Sequence, residues 1–159
     1  MSVSLIVSTQ RQVLTVLESH SVVKTYVVST AANGAGEQRG SLQTPRGAHR
    51  IVEKIGHGLA PYAVMVSRIP TGEIATKDAL KQEPNRDWIV GRILRLDGLE
   101  LGFNRGGSCD TYSRYIYIHG SPAVDTLGQP CSHGCIRMSP FDVLDLYNLV
   151  DVGTKVIIA

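Results

Sequence analysis

Tyr115-Ile116-Tyr117-Ile118-His119 is the stretch on which the fold turns. Aromatic and β-branched residues alternate with a period of two, the repeat of a strand whose successive side chains leave opposite faces. The pattern predicts a well-buried strand, with Ile116 and Ile118 on the core face and the tyrosines toward a cleft. Tyr117 is therefore either a substrate contact or part of the core. Working upstream, Val3–Ser8, Gln12–Leu17 and Ser21–Ser29 read as strands, with turns near Thr9–Arg11 and Glu18–His20. Residues 31–47 read as a long loop that holds Gly34, Gly36, Gly40, Pro45 and Gly47. Strand patterning returns at Ala48–Ile55, Tyr62–Arg68 and Trp88–Leu96. Residues 69–87 look irregular apart from one helical turn around Lys77–Gln82, and 99–113 is a Gly-rich connection. Downstream lies the one convincing helix. Ser139 and Pro140 supply an N-cap and an N1 proline, and Asp142 sits in the first turn, where the helix dipole favours it. Phe141, Leu144 and Tyr147, with Val143, Leu146 and Val150, give its apolar face. Gly153 follows, and Thr154–Ile158 closes the chain as a strand. The chain is thus mainly β, with one helix near its C-terminal end.

The 159 residues make one domain, 43% hydrophobic and 19% charged, with a mean hydropathy of +0.02. That balance excludes a disordered chain, which lacks the apolar surface to bury a core. The net charge is +2. Residues 1–80 carry 8 basic and 5 acidic groups, and residues 81–159 carry 8 and 9. Neither half has the dense cationic patch of a nucleic-acid binder. No apolar run reaches the 18 residues of a membrane helix. The first residues, Met1 to Thr9, lack a positive n-region and a small-residue cleavage site, so the expected location is cytoplasmic. Periplasm or cell wall is the alternative if a leader has been removed.

Chemistry concentrates in 119–138, from His119-Gly120-Ser121-Pro122 to Pro130-Cys131-Ser132-His133-Gly134-Cys135-Ile136-Arg137-Met138. A nucleophilic cysteine needs a base or cation that converts thiol to thiolate. His119 ends a strand, which would hold it rigidly. Cys135 follows a glycine that lets the backbone turn and aim N–H groups at a developing oxyanion. The helix begins close behind, and its positive end would favour the thiolate.

Ser132-His133-Gly134-Cys135-Ile136-Arg137, following His119-Gly120 with 16 residues from His119 to Cys135, resembles the signature of the L,D-transpeptidase (YkuD-type) catalytic domain. Val28-Ser29-Thr30, Thr44-Pro45-Arg46-Gly47 and Tyr115–Gly120 match that family's further motifs in order, so the resemblance covers nearly the whole chain. It implies a β-sandwich of mixed sheets with the catalytic loop over one end. It also implies acyl transfer on peptidoglycan stem peptides without a cofactor or a metal. Carried over by position, Cys135 is the nucleophile and His119 the general base, with the Gly120 carbonyl orienting the imidazole. Backbone N–H groups of Gly134 and Cys135 form the oxyanion hole. Ser132, His133 and Arg137 line or brace the site. The substrate implied is a peptidoglycan tetrapeptide or muropeptide, and carbapenem-type β-lactams are the implied acylating inhibitors. With a cytoplasmic location the acceptor becomes water: an L,D-carboxypeptidase of murein recycling that removes the terminal D-alanine. The alternatives are an L,D-transpeptidase that forms 3–3 cross-links in the wall, and a peptidoglycan-binding module without catalysis.

Other readings stand beside these. Cys131, Cys135, His119 and His133 are also the residue types of a zinc site. Cys109 and Cys131 read as incidental thiols, and His20, His49 and His57 as surface or loop histidines. Trp88 reads as core. The long stretch 57–110 is either a lid or insertion over the site, or extra strands that thicken the sheet.

Overall fold

A computed structural model describes residues 2–159. In chain order its elements are β1 (Val3–Ser8), β2 (Val13–Glu18), β3 (Ser21–Val27), β4 (Gly47–Ile55), β5 (Ala63–Val66), β6 (Ile69–Ile74), α1 (Lys77–Gln82), β7 (Val90–Gly98), β8 (Tyr117–Gly120), β9 (Ile136–Met138), α2 (Pro140–Leu149) and β10 (Lys155–Ile158). The mainly β expectation holds, with one main helix.

The strands run in the order β3-β2-β1-β10-β4-β7, after which β7 pairs with both β5 and β8, and β8 with β9. Pairing is antiparallel except for β1 with β10 and β8 with β9, so the sheet is mixed. Just beyond β3, Ser29 and Arg137 of β9 exchange backbone hydrogen bonds of 2.9 and 2.8 Å. The two ends of the strand order thereby meet, and the sheet folds over its own interior as a flattened sandwich. Leu5, Val7, Leu14, Ile51, Leu94, Ile118, Ile136, Val156 and Ile158 fill that interior from opposite layers, all at most 1% exposed. Each such side chain contributes about 1.5–3 kcal/mol of transfer free energy.

α2 packs Val143, Leu146, Tyr147 and Val150 into the same core. Its start follows the expected chemistry: the Ser139 hydroxyl accepts the Asp142 N–H at 3.1 Å, with Pro140 behind it. Phe141 is not on the buried face. It is 65% exposed and meets the Tyr62 ring edge-on. The i, i+3, i+4, i+7 set that begins at Val143 takes the core, and Phe141 lies outside that set.

The stretch 57–110 divides. β7 lies between β4 and β8 in the body of the sheet, with eight of its nine residues buried. The β5–β6 hairpin joins the sheet edge through Val64 opposite Val90, and with α1 it covers a cluster of Val64, Ala75, Trp88 and Val90. Trp88 is core, as expected, and its indole N–H donates to the Glu83 carbonyl at 3.2 Å. The pattern of Ile69-Pro70-Thr71-Gly72-Glu73-Ile74 conceals β6, because Pro and Gly are poor strand formers and no residue in it is buried. An edge strand tolerates both. Ser67 and Arg68, at φ 50° and 66°, make the two-residue hairpin turn that joins β5 to β6.

His49 departs from its expected place at the surface. It is fully buried on β4, with Nδ1 3.0 Å from the Gly47 carbonyl and Nε2 2.9 Å from the Thr111 hydroxyl. Strand alternation puts His49 on the same face as Ile51. Desolvation pushes its pKa down. The folded protein keeps this imidazole neutral while the unfolded chain takes up a proton near pH ~6.5. Stability is therefore complete above that value and falls as pH drops toward the lower folded pKa. The midpoint of urea unfolding is expected to fall between about pH 7 and pH 5, and His49→Gln is expected to flatten that slope. An unchanged slope in the variant would show that His49 is not the group responsible.

Candidate active site

β8 and β9 lie side by side and parallel, with Ile118 opposite Ile136 and His119 opposite Arg137. Cys135 is the residue before β9, which brings it to the Tyr117 end of β8. The Tyr117 N–H donates to Cys135 Sγ at 3.3 Å, and the thiol donates to the Tyr115 carbonyl at 3.4 Å. His119 is two residues beyond Tyr117, on the same face of the strand. Its Nδ1 lies 2.8 Å from its neighbour's carbonyl, that of Gly120. A carbonyl can only accept, so Nδ1 carries the proton and Nε2 is left with its lone pair. The carbonyl the resemblance implied for Gly120 is thus in contact with the ring.

The loop that carries Cys135 is pinned from several sides. Cys131 N–H and Ser132 N–H both donate to the Thr30 carbonyl, at 2.9 and 3.0 Å. The Ser132 hydroxyl donates to the Cys135 carbonyl at 2.6 Å and accepts the Gly134 N–H at 3.1 Å. The Thr44 hydroxyl donates to the Gly134 carbonyl at 2.9 Å while accepting the Ala31 N–H at 3.0 Å. Gly134 has φ +133°, and a Cβ there would come within 3.1 Å of Ile116 Cδ1 and 3.2 Å of the Gln43 carbonyl. Glycine is required both for the backbone angle and for the close approach.

Ser132 is 1% exposed, borders the cavity at Cys135 and braces its loop, within the expectation that it lines or braces the site. Other expected roles change in this geometry. The Gly134 N–H is already taken by the Ser132 hydroxyl, so of the two expected oxyanion donors it is the Cys135 N–H that has no partner among the described residues. Tyr117 is 5% exposed, packed with Met65, Ile93 and Cys135, and its hydroxyl accepts from Arg68 at 2.8 Å. It reaches the site through its backbone N–H. The positive end of α2 is not at Cys135. The three residues of β9 intervene, roughly 10 Å of extended chain. The four residues of the zinc reading are not gathered: among the described residues no three His, Cys, Asp or Glu side chains form a metal-binding group. Cys131 instead lies 3.8 Å from the Thr126 hydroxyl and 3.7 Å from Arg137 Nη1.

A cavity of about 170 Å³ opens above Cys135, walled by Arg114, Tyr115 and His133 on one side and by Asp87 and Arg137 on the other. Arg137 forms an ion pair with Asp87 at 3.3 Å and donates to the Cys131 carbonyl at 3.4 Å. Arg114 spends its guanidinium on backbone carbonyls of the 36–43 loop, the shortest bond reaching Gln43 at 2.7 Å. Asp87 and Arg114 carry no local motif that would mark them, whereas Tyr115 begins the quoted stretch Tyr115–Gly120. Thr44 does lie in a quoted motif, but its partner Gly134 is 90 residues away in sequence.

Burial pushes the Cys135 thiol up to about 12, against the lowering effect of the Tyr117 N–H and of Arg137 and Arg114. Desolvation pushes His119 down. The two shifts share one cause, removal from water, and both favour the uncharged forms, thiol and imidazole.

Residues 2–158 match the family described as the L,D-transpeptidase catalytic domain, YkuD. Two curated relatives from Bacillus are similar in part. Putative L,D-transpeptidase YkuD of Bacillus licheniformis is 30% identical over 93 residues, 55% of this chain and 52% of the relative. Putative L,D-transpeptidase YqjB of Bacillus subtilis is 38% identical over 58 residues, 36% of this chain and 31% of the relative. These matches span about half or less of the relatives' lengths. The fold is that of L,D-transpeptidase 3 from Mycobacterium tuberculosis, solved in complex with a faropenem-derived adduct. That likeness has a TM-score of 0.61 at 22% identity and covers 99% of this chain and 60% of that one. With a family match along nearly its whole length and that family's fold, the chain belongs to the L,D-transpeptidase catalytic domain family.

Proposed function

We propose that Cys135 and His119 perform acyl transfer on a peptidoglycan tetrapeptide, with water as the acceptor. The observation that carries this reading is the arrangement on β8. One short strand presents the Tyr117 N–H to the sulfur and, two residues on, an imidazole whose tautomer is fixed by Gly120 at 2.8 Å. As Cys135 Sγ attacks the carbonyl carbon of stem residue three, the thiol proton passes to His119 Nε2. The developing oxyanion takes the Cys135 N–H. Collapse of the tetrahedral intermediate breaks the C–N bond to D-alanine, whose amine takes the proton back from the imidazolium. The resulting thioester is hydrolysed by a water that His119 deprotonates, and the products are tripeptide and free thiol. A neutral resting pair suits this order of events, because the proton moves when the substrate is present. The 170 Å³ above Cys135 accommodates the scissile amide and a water.

A second reading, transfer to an amine with formation of a cross-link, is favoured by a neighbouring cavity. About 240 Å³ bounded by Arg39, Leu42 and Ser113 adjoins the Cys135 cavity and shares Arg114, Ile116 and His133 with it. A second peptide has room there. Mass spectrometry of products from a disaccharide tetrapeptide separates the two readings. Tripeptide with released alanine is the expected result. Cross-linked dimers would replace water by an amine, and unchanged tetrapeptide would leave a binding module.

A further inference from the structure

Among the described residues, Tyr115 is the one non-glycine residue that combines a positive φ with a hydrogen bond to the candidate nucleophile. Its φ and ψ are 56° and 49°. Bulky side chains are uncommon in this region, which glycine, asparagine and aspartate tolerate better. Strain of this kind persists only where the surroundings over-determine it, and it concentrates at functional sites. The surroundings here are specific. The Tyr115 N–H closes the preceding 3-10 turn onto the Tyr112 carbonyl at 3.1 Å. The ring is 53% exposed but lies between two guanidiniums, Arg95 at 4.9 Å and Arg68 at 5.1 Å from its centroid. Arg95 also covers the Tyr112 ring at 3.7 Å and donates to the Tyr112 carbonyl at 3.0 Å. Both ends of the turn are thus clamped by one arginine.

The consequence of the left-handed angle falls on the carbonyl. With ψ near 49° instead of the ~135° of a strand, it is swung by roughly 90° from a strand residue's direction. In that direction it accepts the Cys135 S–H at 3.4 Å. We propose that Tyr115 is a positioning residue whose left-handed backbone parks the Cys135 proton on its own carbonyl, away from His119, until that carbonyl turns. This rests on Cys135 being the nucleophile. An acceptor held against S–H favours the thiol over the thiolate, so the parked state is protected from premature reaction. When the carbonyl turns, the same proton is free to pass to His119 Nε2. No other atom enters or leaves. The charged and titratable groups around the sulfur are Arg137 from β9, Asp87, Arg114 and His133 from the flanking loops, and the Tyr115 phenol itself, with His119 two residues beyond Tyr117 on β8. A change at Tyr115 removes only the phenol from this set, and Tyr115→Asn controls for that loss.

The test is the pH profile of Cys135 alkylation by iodoacetamide, read on the Cys135 peptide by mass spectrometry so that Cys109 and Cys131 do not interfere. Tyr115→Val disfavours the left-handed region and is expected to move the midpoint down by about one pH unit, with about tenfold more thiolate at a fixed pH below it. Tyr115→Asn removes the ring but keeps a residue tolerant of that region, and is expected to follow the wild type. Should Tyr115→Val fail to melt as a folded protein, Tyr115→Thr, also β-branched, takes its place. A wild-type profile in the β-branched variant overturns the proposal. So does a profile in Tyr115→Asn that follows the valine variant, because the ring would then be the cause. The assay contains no substrate. Full peptide turnover by Cys135→Ala would refute the functional reading while leaving the alkylation result as it is.

Discussion

Cys135→Ala is expected to abolish release of D-alanine from tetrapeptide, by at least about 10⁴-fold in kcat/KM. The same variant is expected to lose the covalent carbapenem adduct that intact-mass measurement should find on the wild type. The fold should survive, since alanine fits in the space of cysteine and the two hydrogen bonds lost are long, at 3.3 and 3.4 Å. His119→Ala is expected to lower turnover by about 10²–10⁴-fold, the usual contribution of a positioned base. The loss should be larger here than in an enzyme with a preformed thiolate. With Cys135 pushed up to about 12, almost no thiolate exists at neutral pH without proton transfer. Because desolvation holds the His119 pKa below its ordinary value, activity is expected to stay flat through neutrality and to decline only on acidification past that lowered value. Near-native turnover in either variant would remove both residues from the mechanism. Peptide binding without turnover in the wild type would leave a binding module.

Gly120→Ala is expected to damage both stability and activity. A Cβ at this position would stand 2.4 Å from the Val90 carbonyl oxygen and 3.0 Å from Val143 Cγ1. The first of these is backbone in β7 and cannot rotate aside. The second belongs to α2, packed on the far side. The strand has to move away from β7, an overpacking that costs about 1–3 kcal/mol. Any such movement carries the Gly120 carbonyl with it and frees the His119 ring to change tautomer. Misplacement of a catalytic group by ~1 Å costs on the order of 10²-fold in rate. A thermal melt and steady-state turnover read the two effects together. Native stability with native activity would mean that β8 accommodates the methyl group and that the carbonyl does not orient the base.

Much of this was legible in the sequence where a signal was local. The alternation at 115–119, the Ser139-Pro140 cap and the Ser-His-Gly-Cys-Ile-Arg run each lie within a few residues. They located β8, α2 and the Cys135 loop. What stayed hidden depended on distance or on weak patterning. β9 is three residues long, too short to show a period, yet it separates Cys135 from α2 and overturns the expectation of a helix dipole at the sulfur. His49 was misplaced because a lone histidine carries no partner signal, and its partner Thr111 is 62 residues away. Phe141 was put on the buried face because hydrophobicity alone cannot fix the phase of a short helix. Asp87 and Arg114 come to the cavity from loops without motifs. Their contribution exists only once β7 and β8 have set the distances.

β10 lies between β1 and β4, in the middle of the strand order, although every other described strand precedes it in sequence. During synthesis β1 must wait for β10. Until it arrives, β1 presents an unpaired edge to every neighbouring nascent chain. Such long-range parallel pairing also slows folding, because most of the chain has to be ordered before the contact forms. The seam at Ser29 and Arg137 has the same character, since it joins the first fifth of the chain to the last. The Cys135 loop and β9 are therefore closed onto the sheet only when distant partners have been made, and a ribosome-bound fragment that stops short of β10 carries Cys135 on an unfinished sheet.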